Sequence, residues 1–115
     1  MFIYRYCVDT GERDAMTRQR QRLTPEAIET AATMLKCIGH PVRLQIIELL
    51  DREGEQNVTA IYEALEIEQA VASQHLNLMR DRGILASRRD GVNVYYQIND
   101  PRVPRVIDCI HHCEL

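Results

Sequence analysis

Apolar residues recur at helical spacing in several stretches of the chain, and the first of these begins after Thr24-Pro25. A hydroxyl N-cap followed by proline in the first turn is typical of a helix start. Gly39 follows the last periodic residue and is a plausible stop. The pattern predicts a first helix whose single apolar stripe consists of Ile28, Ala31, Ala32, Leu35 and Ile38.

Four further helices are predicted along the chain. The second, from Pro41 to just before Gly54, is apolar on much of its circumference and should be central to the core. Asn57 is a good N-cap for a short third helix, and Gly83 ends the fourth. The inward side of the fourth helix should carry Ala72, Leu76 and Met79. The predicted helices after the first cover residues 41–53, 58–65, 69–81 and about 103–113.

A β-hairpin is predicted between the fourth and the last helix. Residues 84–89 and 93–98 indicate two strands, and Asp90-Gly91 between them is the strongest turn signal in the chain. Tyr95 and Tyr96 point to opposite faces of the second strand, so one should enter the core. The fold class expected is therefore mainly α with a small β-hairpin wing: a winged helix-turn-helix of about five helices.

One domain, residues 23–115, accounts for this pattern in a chain of 115 residues. Residues 1–22 lack clear periodicity and are predicted to form a loose N-terminal arm. The chain contains no run of about 18 apolar residues and no secretory signal pattern. We therefore expect no membrane span and a cytoplasmic protein.

The charge distribution changes the meaning of the net charge of −3. Residues 26–68 carry three bases and nine acids, whereas residues 69–105 carry six arginines and three aspartates. Local charge rather than total charge determines whether a surface attracts DNA. The predicted fourth helix and hairpin therefore form a basic region in an acidic protein.

Polar residues on the fourth helix and the hairpin are the candidate DNA contacts. A helix about 10–12 Å across fits the major groove, and glutamine or asparagine amides pair with the edge of adenine. The alternative for the helix residues is an ordinary solvated face, and the alternative for the hairpin arginines is a charged strand edge that prevents aggregation. His75 is either a packed helix residue or a contact to the DNA backbone. The predicted contacts are Gln69, Ala70, Ser73, Gln74, Asn77, Arg88, Arg89 and Asn93.

Thiols near the chain end are the second candidate site. Cys109 and Cys113 are four apart on a predicted helix, so they share a face, and His112 lies beside them. Together with Cys37, these thiols and the imidazole could bind Zn(II), Cd(II) or As(III). A disulfide from Cys37 to Cys109 or Cys113 is the redox version of the site. The alternative is that these cysteines are small buried residues and that the tail frays. Cys7 has no predicted partner.

The runs LKCIGHPVRLQIIELL, IEQAVASQHLNLMRDRGIL and RRDGVNVYYQI, in that order within residues 34–98, resemble the ArsR/SmtB family of winged-helix repressors. The resemblance implies a homodimer that binds operator DNA and releases it on sensing a metal, a metalloid or a thiol-reactive compound. Glu68, Gln69 and Ala70 stand where the family often has a Ser-Gln-Ser type run, so the fourth helix begins with a poorer cap. The family's arsenic cysteines are absent from the third helix, VTAIYEAL, and its Asp-x-His zinc pattern does not match Asp108 to His111. Its persulfide pattern, with one cysteine in the second helix and one in the last, has its nearest equivalent in Cys37, just before the second helix.

The function expected is a sequence-specific transcriptional repressor released by a thiol-directed signal, with the first and last helices forming the dimer surface. Two alternatives remain: a constitutive repressor, and a winged helix that binds protein instead of DNA. An enzyme is not expected, because the sequence has no glycine-rich phosphate loop and no evident pair of catalytic carboxylates.

Overall fold

The computed structural model describes residues 22–113. The predicted arm, apart from Arg22, and Cys7 lie outside this part of the chain. None of the described helices is long and apolar enough to cross a membrane. The elements are α1 (Pro25–Ile38), α2 (Pro41–Glu53), β1 (Gln56–Asn57), α3 (Val58–Leu65), α4 (Gln69–Asp81), β2 (Leu85–Asp90), β3 (Asn93–Ile98) and α5 (Arg102–His112).

Local capping interactions explain where the helices begin. The Ala27 amide donates to Thr24 Oγ1 at 3.0 Å, and the Ala60 amide donates to Asn57 Oδ1 at 2.7 Å, as the sequence predicts. His40 caps α2 by accepting the Val42 amide at its Nδ1, at 3.1 Å, which the sequence did not indicate. Glu68 precedes α4 without a side-chain cap, so the expectation of a poorer cap there is confirmed.

The wing is a three-stranded antiparallel sheet in the order β1-β3-β2. The hairpin was predicted, but β1 was not, because two residues carry no periodicity. The turn is also one residue later than predicted: Asp90 still pairs with Asn93, and the two-residue loop is Gly91-Val92. Gly91 has φ 68°, as the first central position of a type II′ turn requires.

The core lies between the helices and the sheet. Ile46, Ile47 and Ile61 are fully buried, and the central position predicted for the second helix is confirmed. Ala72, Leu76 and Met79 are also fully buried, so α4 turns its predicted side inward. Of the two adjacent tyrosines, Tyr96 enters the core with 3% of its surface exposed.

The apolar stripe of α1 faces away from this core. Ile28 and Leu35 are 53% and 50% exposed, and of the predicted stripe only Ile38 is buried. An adjacent side of α1, which includes Ile38, contributes Met34 and Cys37 to the core instead. Within the protomer α5 packs on α2, so the stripe of α1 remains open to solvent.

Candidate nucleic-acid interface

A groove of about 520 Å³ separates α4 from the wing. Its lining contains three arginines and no carboxylate side chain, although the whole chain is acidic. Six of the eight predicted DNA contacts border this groove. Its lining residues are Asn57, Val58, Thr59, Gln69, Ser73, Asn77, Arg80, Ser87, Arg88, Arg89, Val92, Asn93, Val94 and Tyr96.

The polar residues of α4 follow from the burial of its other side. Because successive residues turn by about 100°, Gln69, Ser73 and Asn77 form one row along the side next to the wing. Gln69 and Asn77 are exposed, and Ser73 is half-buried. Ala70 and Gln74 lie outside the groove lining but are also exposed on α4.

A hydrogen bond joins α4 to the sheet across the floor of the groove. The Tyr96 hydroxyl donates to Asn77 Oδ1 at 3.2 Å. Since the Tyr96 ring is in the core and Asn77 is exposed, the bond fixes one amide of the groove relative to β3. The Asn77 amide nitrogen stays available to another acceptor.

Arg88 and Arg89 lie on opposite faces of the wing. Arg89 pairs across the strands with Val94 and shares a face with Tyr96, which is the face turned to α4. Arg88 is opposite Tyr95 on the other face, where its guanidinium carbon lies 4.5 Å from the ring centroid. Its Nε and Nη2 donate to the Glu55 carboxylate at 2.8 and 3.0 Å. These hydrogen bonds raise the pKa of Arg88 further above its ordinary value.

Sequence reasoning missed Arg80 as a member of the groove. Arg80 is exposed, and its Nη2 lies 3.4 Å from Asp81 Oδ1. Its position could have been inferred from spacing. Arg80 is three residues after Asn77 and seven after Ser73, so it lies on the same side of the helix.

His75 lies on the other side of α4 and is packed, which decides between its two sequence-based interpretations. Its ring centroid is 4.7 Å from that of His40, and its Nδ1 accepts from Arg43 Nε at 3.2 Å. Arg43 Nη1 also donates to the Cys37 carbonyl at 2.8 Å. Burial, followed by the charges of His40 and Arg43, lowers the pKa of His75. This cluster links the end of α1 to α4 from behind the groove.

The candidate thiol residues are not gathered into one cluster. Cys37 is 4% exposed and lines a cavity of about 480 Å³ that Asp100 and Arg102, near the start of α5, also line. Cys109 is half-buried on α5, about 10 Å farther along its axis than Arg102, and the half-buried Cys113 follows the helix as its C-cap with extended backbone. His112 Nδ1 lies 2.8 Å from the Asp108 carbonyl oxygen. Within residues 22–113, no three His, Cys, Asp or Glu side chains are placed to hold a metal ion.

Comparison with known proteins gives one family model and several relatives. The model described as a helix-turn-helix domain matches residues 38–88. The transcriptional repressor PagR of Bacillus anthracis is 38% identical over 85 residues, which are 74% of this chain and 85% of PagR. The arsenic resistance transcriptional regulator ArsR1 of Pseudomonas putida is 37% identical over 91 residues, 79% of this chain and 66% of ArsR1.

Solved structures of transcriptional regulators are similar to this chain as well. The crystal structure of PagR superposes with a TM-score of 0.69 at 37% identity, covering 76% of this chain and 99% of PagR. The homodimeric winged helix-turn-helix DNA-binding domain of Mb0332 from Mycobacterium bovis, a possible ArsR-family regulator, gives a TM-score of 0.65 at 27% identity. That match covers 89% of this chain and 84% of the domain.

Proposed function

Because the chain belongs to the ArsR/SmtB family of winged helix-turn-helix transcriptional repressors, we propose that it binds operator DNA as a homodimer and represses transcription. The observation that carries this proposal is the acid-free groove between α4 and the wing, where three arginines meet amide side chains. The relatives named above are transcriptional regulators, which agrees with the expectation that the chain is not an enzyme.

The proposed division of labour follows from side-chain chemistry. Gln69, Gln74 and Asn77 on α4 present amides to base edges in the major groove, while the small Ala70 and Ser73 let the helix backbone approach. The wing residues contact phosphates or the neighbouring minor groove. These wing contacts are Arg88, Arg89 and Asn93, and we add Arg80 at the end of α4 as a further phosphate contact.

The proposed dimer covers the outward stripe of α1. Ile28 and Leu35 are about half exposed, and Val106 and Ile110 on α5 are only half-buried. Pairing of α1 and α5 between protomers removes this apolar surface from water. A two-fold dimer then presents one α4 to each of two half-sites about one helical turn apart. The homodimeric state of the Mb0332 domain supports a dimer.

We further propose that a thiol-directed signal releases the DNA, acting through Cys109 and Cys113 on α5 together with Cys37 and His112. The signal is a metal or metalloid ion, of which Zn(II), Cd(II) and As(III) suit thiolate donors, or a reactive sulfur compound or oxidant. Because no three such donors converge within residues 22–113, a three-ligand site needs donors from a second protomer or from the terminal residues. The alternative is a constitutive repressor without an inducer site.

The DNA-binding proposal is tested by the salt dependence of binding. Fluorescence anisotropy with a labelled duplex compares wild type with Arg89→Ala, and with Arg52→Ala as a charge-matched control on α2. Arg52 pairs with Glu48 and Glu53 and does not line the groove. Arg89→Ala should weaken binding and make the slope of log K against log salt shallower by about 0.9. Equal loss in both variants, or no binding by wild type, contradicts the proposal.

The signal proposal is tested by repeating that titration with Zn(II), Cd(II), As(III), a persulfide and an oxidant in separate arms. The proposal is supported if one of these reagents releases the DNA from wild type but not from the double variant Cys109→Ser/Cys113→Ser. The Cys37→Ser variant then shows whether the buried thiol takes part. Undiminished DNA binding in every arm leaves the constitutive repressor.

A further inference from the structure

The ion pair between Arg88 and Glu55 differs from the others in this protein. The remaining four ion pairs within residues 22–113 join residues no more than four apart in sequence, whereas this one spans 33 positions. Like the local pair of Arg102 with Asp100, it is bidentate, with both Glu55 carboxylate oxygens accepting from the guanidinium at 2.8 and 3.0 Å. The pair is therefore set by the tertiary fold rather than by chance proximity along a helix.

The backbone places Glu55 beside the wing. Gly54, with φ 83°, ends α2 and turns the chain into β1, which pairs with β3. Glu55 thus immediately precedes a strand of the wing sheet, and its side chain is 28% exposed. Tyr95 lies beneath the guanidinium at 4.5 Å, so Arg88 is held from two sides.

Carboxylate and phosphate use the same part of an arginine. Both accept two parallel N–H donors from the planar guanidinium, so the Nε–Nη2 edge of Arg88 that binds Glu55 cannot bind a phosphate in the same way at the same time. Arg89, on the groove face, has no ion pair within residues 22–113. The two wing arginines therefore differ. The Arg89 guanidinium can bind a phosphate directly, whereas the Nε–Nη2 edge of Arg88 already binds the Glu55 carboxylate.

We infer that Glu55 competes with DNA phosphate for Arg88 and thereby lowers the affinity of the wing for any duplex. This inference rests on the proposed DNA-binding function and adds a regulating residue to it. When DNA binds, the Arg88 guanidinium exchanges the Glu55 carboxylate for a phosphate oxygen, and Glu55 is left to solvent. Because phosphate contacts carry no base information, Glu55 sets how tightly the protein binds and not which sequence it prefers.

The test compares Glu55→Gln with Glu53→Gln in the full chain, using anisotropy with an operator duplex selected from a random pool and with an unrelated duplex. Both substitutions remove one negative charge from neighbouring positions, but Glu53 pairs with Arg52 and not with the wing. Glu55→Gln should bind both duplexes about two- to fivefold tighter than Glu53→Gln does. The gain should disappear when Arg88→Ala is added, because the freed arginine is its cause.

Four results overturn the inference. Glu55→Gln that binds no tighter than Glu53→Gln, or binds more weakly, means that Glu55 does not compete for Arg88. If the gain in DNA affinity persists when Arg88→Ala is added, Glu55 acts only as a general repulsive charge. If the gain occurs with the operator duplex alone, the contact of Arg88 is not to phosphate. If neither wild type nor Glu55→Gln binds any duplex, the DNA-binding proposal fails, and this inference fails with it. Thermal unfolding of each variant checks that the fold is intact.

Discussion

At the scale of single residues, Glu66 adopts an unusual conformation at the turn between α3 and α4. It has φ 57° and ψ 47°, and it is the only residue other than glycine with positive φ within residues 22–113. The Ile67 amide donates to the Tyr62 carbonyl at 3.1 Å, which closes α3 in the manner of a Schellman motif. The turn between α3 and α4 therefore depends on a residue type poorly suited to its backbone.

Glu66→Gly should raise the free energy of unfolding by about 1 kcal/mol, because glycine adopts left-handed φ without strain. Glu63→Gly, in the last turn of α3 but with helical backbone, is the matched control and should lower it by about 1 kcal/mol. Urea denaturation measures both. Destabilisation by Glu66→Gly would show that the side chain contributes more than the strain costs.

His75 gives a prediction for pH. Its pKa is lowered mainly by burial, so below the ordinary histidine value of about 6.5 the unfolded chain binds more protons than the folded one. The free energy of unfolding should therefore fall as pH drops below about 6.5 and level off below the folded pKa. His75→Gln should reduce this fall, whereas the exposed His111→Gln should not. Equal pH dependence of both variants and wild type in urea denaturation contradicts this role of His75.

At the scale of elements, the helices were predictable because their ends are encoded locally. Thr24, Asn57 and Gly54 act within a few residues of where they stand, so their roles could be inferred before the fold was known. The strand β1 could not be predicted, since its two residues are extended only because β3 lies beside them. The N-cap role of His40 was not predicted either, because histidine is not a preferred N-cap residue.

The groove itself was only partly predictable. The periodicity of α4 indicated which side faces outward, and the hairpin indicated two adjacent arginines. Which arginine faces α4 depends on strand register, and the sequence does not show the Glu55 partner, which lies 33 positions away. The sequence therefore indicated six residues of the groove but not Arg80, while the pairing of the arginines required the tertiary structure.

The link between α4 and the wing is expected to affect both stability and binding. Tyr96→Phe removes the 3.2 Å hydrogen bond to Asn77 and should lower the free energy of unfolding by about 1 kcal/mol. It should also weaken operator binding, because Asn77 loses its fixed orientation. Tyr62→Phe, in α3 and outside the groove lining, is the control for losing a tyrosine hydroxyl. Unchanged operator affinity in Tyr96→Phe would mean that Asn77 needs no such support.

At the scale of the whole molecule, the sequence predicts both an apolar stripe on α1 and a dimer surface formed by the first and last helices. The protomer leaves Ile28 and Leu35 about half exposed, and we expect a second copy to bury them. Leu35→Asp should therefore shift the protein from dimer to monomer in sedimentation experiments, since it places a charge in the proposed interface. Val92→Asp changes an apolar residue that is 93% exposed at the wing tip and should leave the dimer intact. A Leu35→Asp protein that stays dimeric places the interface elsewhere.

The central claim is that a symmetric pair of protomers presents two copies of α4 to one duplex. The most direct measurement is selection of wild-type binding sites from a random duplex pool, followed by sequencing. We predict an inverted repeat whose half-sites are centred about 10 base pairs apart, one for each α4. Enrichment of a single half-site without symmetry, or no enrichment at all, would contradict the account.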